Sequence, residues 1–433
     1  MPSPKKNSVR AKAGARDYDI VIVGGGLAGA SLAVALGNTA YRVAVIEAFE
    51  LQSNAQPSYD ERTIALTYSA KHIFSQLGVW DDSIESEACA LKSIHISNKG
   101  HFGKTRLDHK DAGTEALGYV IPTRALGQAL MHKLTNTENI DLFCPYEAKT
   151  VDVGDTRASI SIEKCAAPSS DTIEARLLNA RLVVIADGGR SPLLNTAGFS
   201  HESKAYPQSA LLSIVKTNLP HQHKAYERFV ENGPLALLPM NDQRFAVVWT
   251  LSPEELETVS RMSDDHYLAH LQSTFGTRAG LFSAPTPRKT YPLSKSCLRT
   301  PFSHRVLALG NAAHTVHPVA GQGFNLGLRD VATLAEVLQQ ASASEADIGS
   351  EAFLQDYADL RAEDTRRVAQ FTDGLLSIFN HPSALVQLGR NIGLTAVENL
   401  PFIKRALLKR TMGLGRHQPR LARGLNISPP PLK

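Results

Sequence analysis

Residues 18–48 read YDIVIVGGGLAGASLAVALGNTAYRVAVIEA. Tyr18 to Val23 is short, apolar and rich in β-branched side chains, the pattern of a strand covered on both faces. Gly24, Gly26 and Gly29 complete a G-x-G-x-x-G, and the small, apolar residues from Leu27 to Leu36 suit a helix lying close on a sheet. Arg42 to Ile46 gives a second buried strand, ending at Glu47. Gly24 permits a tight turn, Gly26 lets a pyrophosphate approach the backbone, and Gly29 lets helix and strand touch. The N–H groups at the helix start, around Leu27 and Ala28, sit at the positive end of the helix dipole and suit a phosphate. Glu47 is placed to accept hydrogen bonds from ribose hydroxyls and would repel a 2′-phosphate. A glycine-rich turn alone is weak evidence. Strand, helix, second strand and terminal acid together point to an adenine dinucleotide on a Rossmann-like α/β unit.

At 433 residues the chain has room for two or three domains. A net charge of +4 is too small to mark a nucleic-acid binder, so its distribution matters more. Residues 1–16 carry five cations and no acid, and Pro401 to Lys433 carries eight and no acid. The first is read as a disordered basic arm, with a mitochondrial targeting segment as the alternative. Between Phe402 and Leu414 apolar and basic residues alternate roughly as in an amphipathic helix, so the C-terminal tail is expected to touch a membrane surface or an acidic partner. Cys89, Cys144, Cys165 and Cys297 form no C-x-x-C pair, so reduced thiols are expected, with no metal site and no disulfide framework. No run approaches the roughly 18 apolar residues of a spanning helix. The expected location is cytoplasmic, with peripheral contact on the inner membrane.

Further along, Gln52 to Tyr59 reads as a loop, and Asp60 to Leu66 leads into a helix from about Ser69 to Leu77. Ile94 to Ser97 alternates as a strand, and a helix starts near Pro122 and Thr123, where Thr123 is a reasonable cap. Arg124 in its first turn opposes the helix dipole, a conflict that an anionic ligand would relieve. Ala148 to Ile162 and Leu177 to Ile185 supply strands, the second ending at Asp187-Gly188. From Ala210 to Leu251 strands alternate without helices, which implies an antiparallel sheet. Its apolar residues Phe229, Leu237, Pro239 and Trp249 are candidates for a greasy substrate pocket, with plain core as the blander reading. Arg305 to Leu309 is a buried strand that runs into Gly310-Asn311 and then into His314, His317, Pro318, Gly321, Gln322, Gly323, Phe324 and Asn325. A helix then continues to about Gln340. This second glycine-rich loop suits a planar ring that becomes anionic. The expected division is a basic arm (1–16), a dinucleotide domain in three pieces (17–92, 115–205, 293–345), a sheet domain in two (93–114, 206–292), and C-terminal helices with the basic tail (346–433).

The fingerprint at Gly24, Asp60-x-Arg62, Asp187-Gly188, Gly310-Asn311 and Pro318-x-x-Gly321-x-Gly323-x-Asn325 together resemble the flavin-dependent aromatic hydroxylases of the para-hydroxybenzoate hydroxylase fold. Within them, Glu227-Arg228-Phe229, Gly233 to Met240, Gly321 to Gly327 and Gly389 to Leu394 are most similar to the ubiquinone-biosynthesis hydroxylases, nearest those acting on 2-octaprenyl-6-methoxyphenol. The resemblance runs from Asp19 to about Gly413. It implies a Rossmann-like FAD-binding domain, an inserted antiparallel β-sheet substrate domain and a helical C-terminal part. It also implies FAD held by Gly24, Gly26, Leu27, Ala28, Gly29 and Glu47 at the adenosine end. Arg62 and Arg124 would lie near the pyrophosphate and ribityl chain, and Asp187 and Gly188 near the fingerprint. Gly310 and Asn311 would face the ribityl region, with Gly321, Gln322, Gly323, Phe324 and Asn325 at the flavin ring. The family's common Gly-Asp is Gly310-Asn311 here, which keeps hydrogen bonding but removes a charge. His317 and Pro318 are carried as substrate-side residues.

The reaction the resemblance implies uses NAD(P)H as a transient reductant and O2 as co-substrate. A C4a-hydroperoxyflavin then delivers oxygen to the ring of a polyprenylated phenol of the 2-polyprenyl-6-methoxyphenol type. A halogenase of this fold would show Trp-x-Trp-x-Ile-Pro, and Trp80 and Trp249 stand alone. Hydroxylation at another ring position, an isoprenoid reductase and a non-catalytic FAD-binding subunit of a biosynthetic complex remain alternatives. Prenylated phenol and other biosynthetic proteins are the expected partners.

Overall fold

The computed structural model describes residues 16–50, 62–165, 174–189, 191–317, 319–344, 346–379, 381, 383–415 and 418–427. Asp60, Pro318, the arm up to residue 15 and the last six residues of the tail lie outside them. Arg16 itself opens the first strand, Arg16–Val23.

That strand is central in a sheet ordered 302–303, 306–308, 175–185, 16–23, 43–46, 140–143. Its neighbours Val43–Ile46 and Ala175–Ile185 run parallel to it, with Ile20 opposite Val43 and Val21 opposite Val183. Ile20 and Ile22 point into one core, shared with the helices Leu27–Ala35, Thr123–Thr135 and Gln322–Ser344, while Val21 and Val23 point into another. The apolar run therefore covers both faces, as a parallel sheet requires. The stretch expected as one strand from Ala148 to Ile162 is two, Tyr146–Val153 and Ala158–Lys164, paired antiparallel. Gly154 turns the chain there, donating its N–H to the Arg157 carbonyl. After Arg62 the helix expected at about Ser69 to Leu77 is present. Thr63–Thr67 is a strand in a small sheet with Gly118–Pro122 and Cys89–Leu91, and the helix after it is Tyr68–Gln76.

The second large sheet is ordered 314–315, 289–298, 201–217, 244–251, 233–240, 224–230, 93–98, 104–108. It is mixed rather than antiparallel, because Lys224–Val230 runs parallel to Ser93–Asn98. The two strands lie far apart in sequence, so a long crossover joins them instead of a hairpin. The strands His201–Thr217 and Lys289–Leu298 each run through a boundary expected at 205/206 or 292/293, since both are continuous. The helices Pro253–Ser260 and Asp264–Phe275 cover one face of this sheet.

After the helix Gln322–Ser344 come three more: Glu351–Phe379, Ala384–Asn399 and Pro401–Thr411. The last sets one side of the basic tail on the protein itself and leaves Phe402 exposed. Leu408 and Met412 are buried against Leu107 and Leu117, with Leu407 and Leu414 packed beside them. These apolar residues are used inside the protein. No helix among the described residues is long and apolar enough to cross a membrane.

Candidate active site

Three glycine-bearing segments converge at the edge of the first sheet. A Cβ on Gly24 (φ +103°) would lie 2.7 Å from the Asp187 Cα, and one on Gly29 would lie 1.9 Å from the Gly24 carbonyl oxygen. Turn and helix–strand contact thus demand glycine at both. Gly26 is the N-cap of Leu27–Ala35 and offers no side chain to its open N–H groups. Gly310 (φ +59°) packs between Ala28 and Gly327, which brings the start of Gln322–Ser344 beside the fingerprint helix. Among the described residues a Cβ on Gly323 would meet only Val316, at 3.8 Å, and one on Gly188 would meet nothing. Protein packing does not require glycine at position 323. A ligand lying on the backbone would.

Two acids border the fingerprint. Glu47 is buried, accepts N–H bonds from Gly25 (2.8 Å) and Phe49 (2.9 Å), and is pushed up by burial against the pull of those bonds. Asp187 is pushed up to about 6, by burial first and by the nearby Glu47 charge. Asn311 is exposed beside Gly189. The two expected arginines face other groups. Arg62 lies over the ring of Tyr291 at 5.2 Å, and Arg124 pairs with Glu87 at 3.2 Å. Glu87 closes the helix Asp82–Glu87, which sequence reading missed, and it supplies the negative charge that a cation at a helix start needs. Arg124 also lines a cavity of about 260 Å³ with Met240 and Arg244. The N-cap of its helix is Pro122, not Thr123.

In the second loop the side chain of Asn325 is fully occupied. Its amide donates to the Ala65 and Gly321 carbonyls at 2.8 and 2.7 Å, and its Oδ1 accepts the Thr67 N–H at 2.8 Å. It ties the loop to the strand Thr63–Thr67 rather than reaching a ligand. Phe324 stacks on Phe74 and turns its ring into the core, which leaves its backbone to the cofactor role expected of this loop. Gln322 is buried and Gly321 adopts φ +61° beside Ala65. His317 is fully buried under Tyr206, its Nδ1 accepting the Val319 N–H at 3.2 Å. Burial holds its pKa down at about 4, so the ring is neutral with its proton on Nε2, which has no hydrogen-bond partner among the described residues. His314 instead joins a buried network, its Nε2 2.6 Å from Asp330, which Arg361 meets at 2.6 Å. Burial alone would raise the Asp330 carboxyl, but the His314 and Arg361 charges outweigh it and hold it at about 2.

The mixed sheet presents two faces. Leu237 and Trp249 point to the helical side, in a core with Tyr267 and Leu271, and Pro239 lies opposite Phe245 of the same core. The alternation that marks them apolar left their face open, and the helix Asp264–Phe275 fills it. These three are therefore core, not substrate lining. Phe229 is on the other face, stacked on Phe379 with centroids 3.4 Å apart and packed with Val319 of the loop. Ala225, on the same side of the strand, packs in a cluster that Ala65 joins. Glu227 lies between them, opposite Ile96 and Ala236, and sequence reading quoted it only as part of a motif. It has no hydrogen-bond partner among the described residues, and burial pushes its carboxyl up to about 7. A lone carboxyl on an apolar face beside a cofactor loop is a functional-site pattern.

The four cysteines are free thiols. Cys89, His221 and His223 come within 4.8 Å of one another. His221 Nδ1 accepts the His223 N–H at 3.0 Å, and His223 Nδ1 lies 3.1 Å from the Ala90 carbonyl, so both rings are committed to backbone groups.

A family model described as an FAD binding domain matches residues 17–372. The chain is 33% identical over 415 residues to the ubiquinone hydroxylase UbiL of Rhodospirillum rubrum, which spans 94% of this chain and 93% of that one. The chain belongs to this family of FAD-binding hydroxylases. The 3-demethoxyubiquinol 3-hydroxylase of Escherichia coli is 28% identical over 399 residues, 92% of this chain and 98% of that one. Among solved structures, p-nitrophenol 4-monooxygenase PnpA from Pseudomonas putida matches with a TM-score of 0.74 at 17% identity, covering 93% of this chain and all of that one. That likeness carries the fold. As a family member the chain is an FAD-dependent monooxygenase. The open N–H groups after Gly26, the unfilled space at Gly323 and the unpaired His317 Nε2 suit FAD lying along these loops.

Proposed function

We propose that the chain hydroxylates the ring of a polyprenylated phenol in ubiquinone biosynthesis, of the 2-polyprenyl-6-methoxyphenol type, with NAD(P)H as transient reductant. The observation that carries this is the face of the mixed sheet turned toward the loop. It is apolar through Ala225 and Phe229, and Glu227 lies between them. Bound FAD supplies the activation of dioxygen. The chain's own residues do the rest. N–H groups after Gly26 would hold the pyrophosphate, Glu47 would take the ribose, and the loop from Gly321 to Gly323 would offer its backbone N–H groups to the flavin. Glu227 accepts the phenolic proton at a carboxylate oxygen, which makes the ring more electron-rich. Phe229 and Phe379 exclude water and seat the isoprenoid.

Incubating the holoenzyme with detergent-dispersed 2-polyprenyl-6-methoxyphenol, NAD(P)H and 18O2, followed by mass spectrometry, tests this. The expected product carries one oxygen atom from dioxygen. A product gaining only hydrogen on its prenyl double bonds would make the chain a reductase. No oxygen consumption with any prenylated phenol would leave it a FAD-binding subunit. The domain division and peripheral membrane contact belong to the same reading, since so apolar a substrate is met at a bilayer or on a carrier.

A further inference from the structure

The helix Ala384–Asn399 turns an uncharged face to solvent. Leu385 is 80% exposed, Leu388 49% and Ile392 55%, and their spacing of three and four residues sets them in one stripe. Gly389 and Gly393 are exposed beside them and keep the surface flat. The helix carries two charges, and both are engaged. Arg390 is buried and donates to the Phe379 and Ile378 carbonyls at 2.7 and 3.3 Å. Glu398 accepts the Arg106 N–H at 2.8 Å and lies 3.6 Å from Lys404. The apolar surface extends to neighbouring elements. Ile378 is exposed at the end of Glu351–Phe379, Phe402 at the start of Pro401–Thr411, and Phe102 on the turn after Ser93–Asn98. That turn touches the helix, for a Cβ on Gly103 would fall 2.7 Å from the Asn391 Cα. Single exposed apolar residues need no explanation, but a contiguous group does.

Cations flank the patch. Lys99, Lys104 and Arg106 are exposed on the Phe102 turn and its strand, with no acid between 99 and 106. Arg405 and Lys409 share the exposed face of Pro401–Thr411 with Phe402. The bordering acids among the described residues are Glu398 and Asp111, both engaged by Lys404, and Glu231 on the turn after Lys224–Val230. On its inner side the same helix meets the candidate active site, because Leu394 packs with Phe229, Val319 and Phe379.

We propose that this face docks on an anionic lipid bilayer, with the stripe entering the interface and the cations meeting lipid phosphates. The prenyl tail then passes from the bilayer along Ile378, Phe379 and Leu394 toward Phe229. The proposal rests on the prenylated-phenol reading. The main docking element is Ala384–Asn399, since in the following helix Leu407, Leu408 and Met412 are spent on internal packing and only Phe402 joins the patch.

Flotation of the full-length holoprotein with phosphatidylcholine vesicles, with and without phosphatidylglycerol, tests it. The wild type is expected to float with the anionic vesicles. Leu385→Glu/Ile392→Glu should lower the lipid-bound fraction about tenfold or more while keeping the bound-flavin spectrum. Arg405→Glu/Lys409→Glu should weaken flotation at low salt and have little effect at high salt. The stripe variant should keep wild-type turnover of detergent-dispersed substrate and lose it on vesicle-borne substrate, which separates failed docking from a failed functional reading. Wild-type flotation by the stripe variant, or none by the wild type, overturns the proposal. A wild-type dimer that Leu385→Glu splits, with no lipid binding, assigns the stripe to a second copy and overturns it as well.

Discussion

Glu227 costs the fold stability and gives the site its chemistry. A carboxyl whose pKa rises from the usual carboxylate value to about 7 is penalised when ionised. The contribution is therefore absent below the unfolded pKa and grows as a cost while pH rises through about 7. Glu227→Gln is expected to be no more stable than wild type near pH 4.5 and more stable by about 2 kcal/mol at pH 8. Hydroxylation should fall, and its acid limb near pH 7 should vanish. Denaturant melts of the holoenzyme at the two pH values check the first, and pH profiles of kcat check the second. An equal stability difference at both would mean that the carboxyl has a partner in solution. The sequence carried the Glu-Arg-Phe motif but not its orientation, because alternation along a strand defines two faces without saying what covers each. Leu237 and Trp249 were misplaced for that reason. Glycines 24 and 29 were legible, since backbone contact leaves no other residue.

At the scale of elements, the helix Gln322–Ser344 is aimed by polar side chains whose bonds are all within the protein. Asn325 holds the loop to Thr63–Thr67 through two bonds and braces it on Gly321 through a third, and Asp330 holds the same helix to His314 and Arg361. Asn325→Ala would strand the Thr67 N–H and the Ala65 and Gly321 carbonyls, at about 1–3 kcal/mol for each left unsatisfied. The loop should then loosen over the flavin ring while the fingerprint, held by its own packing, keeps the adenosine end. The expected outcome is retained FAD, a shifted flavin absorption spectrum and more peroxide released per NAD(P)H oxidised. Wild-type coupling in this variant would show that the three bonds do not aim the loop. A motif reading assigns such an asparagine to the ligand, because the spacing of residues says nothing of where an amide points. The helix itself was legible from Leu326, Val331, Leu334 and Leu338 at helical spacing. The pairing of Lys224–Val230 with Ser93–Asn98 was not, because it joins segments far apart in the chain.

Across the whole molecule, buried titratable groups pull stability in opposite directions with pH. His95, on Ser93–Asn98, is buried beside Tyr226, and its Nε2 faces the Arg278 guanidinium at 2.5 Å. Burial first, then the cations Arg278, Arg106, Lys104 and Lys224, bring its pKa down to about 4. His317 sits at about 4 for the same leading reason. Both folded values lie below the unfolded value near 6.5, so between these limits the unfolded chain binds more protons. Their contribution is full above pH 6.5 and is lost as pH falls toward 4. Glu227 and Asp187, raised to about 7 and about 6, favour the fold as pH falls through the same range. The two sets oppose each other, which blunts the response of the wild type to acid between pH 7 and 4.5. Below that Asp330, held at about 2, begins to lose its ion pairs. His95→Gln keeps an acceptor for Arg278 and removes one of the acid-labile groups. The variant should match wild type at pH 7.5 and exceed it by about 2–3 kcal/mol at pH 4.5. Urea unfolding of the holoenzyme at both values reads this directly. A variant that loses stability on acidification in parallel with wild type would show that His95 already carries its proton in the folded protein, and that Arg278 turns away to allow it.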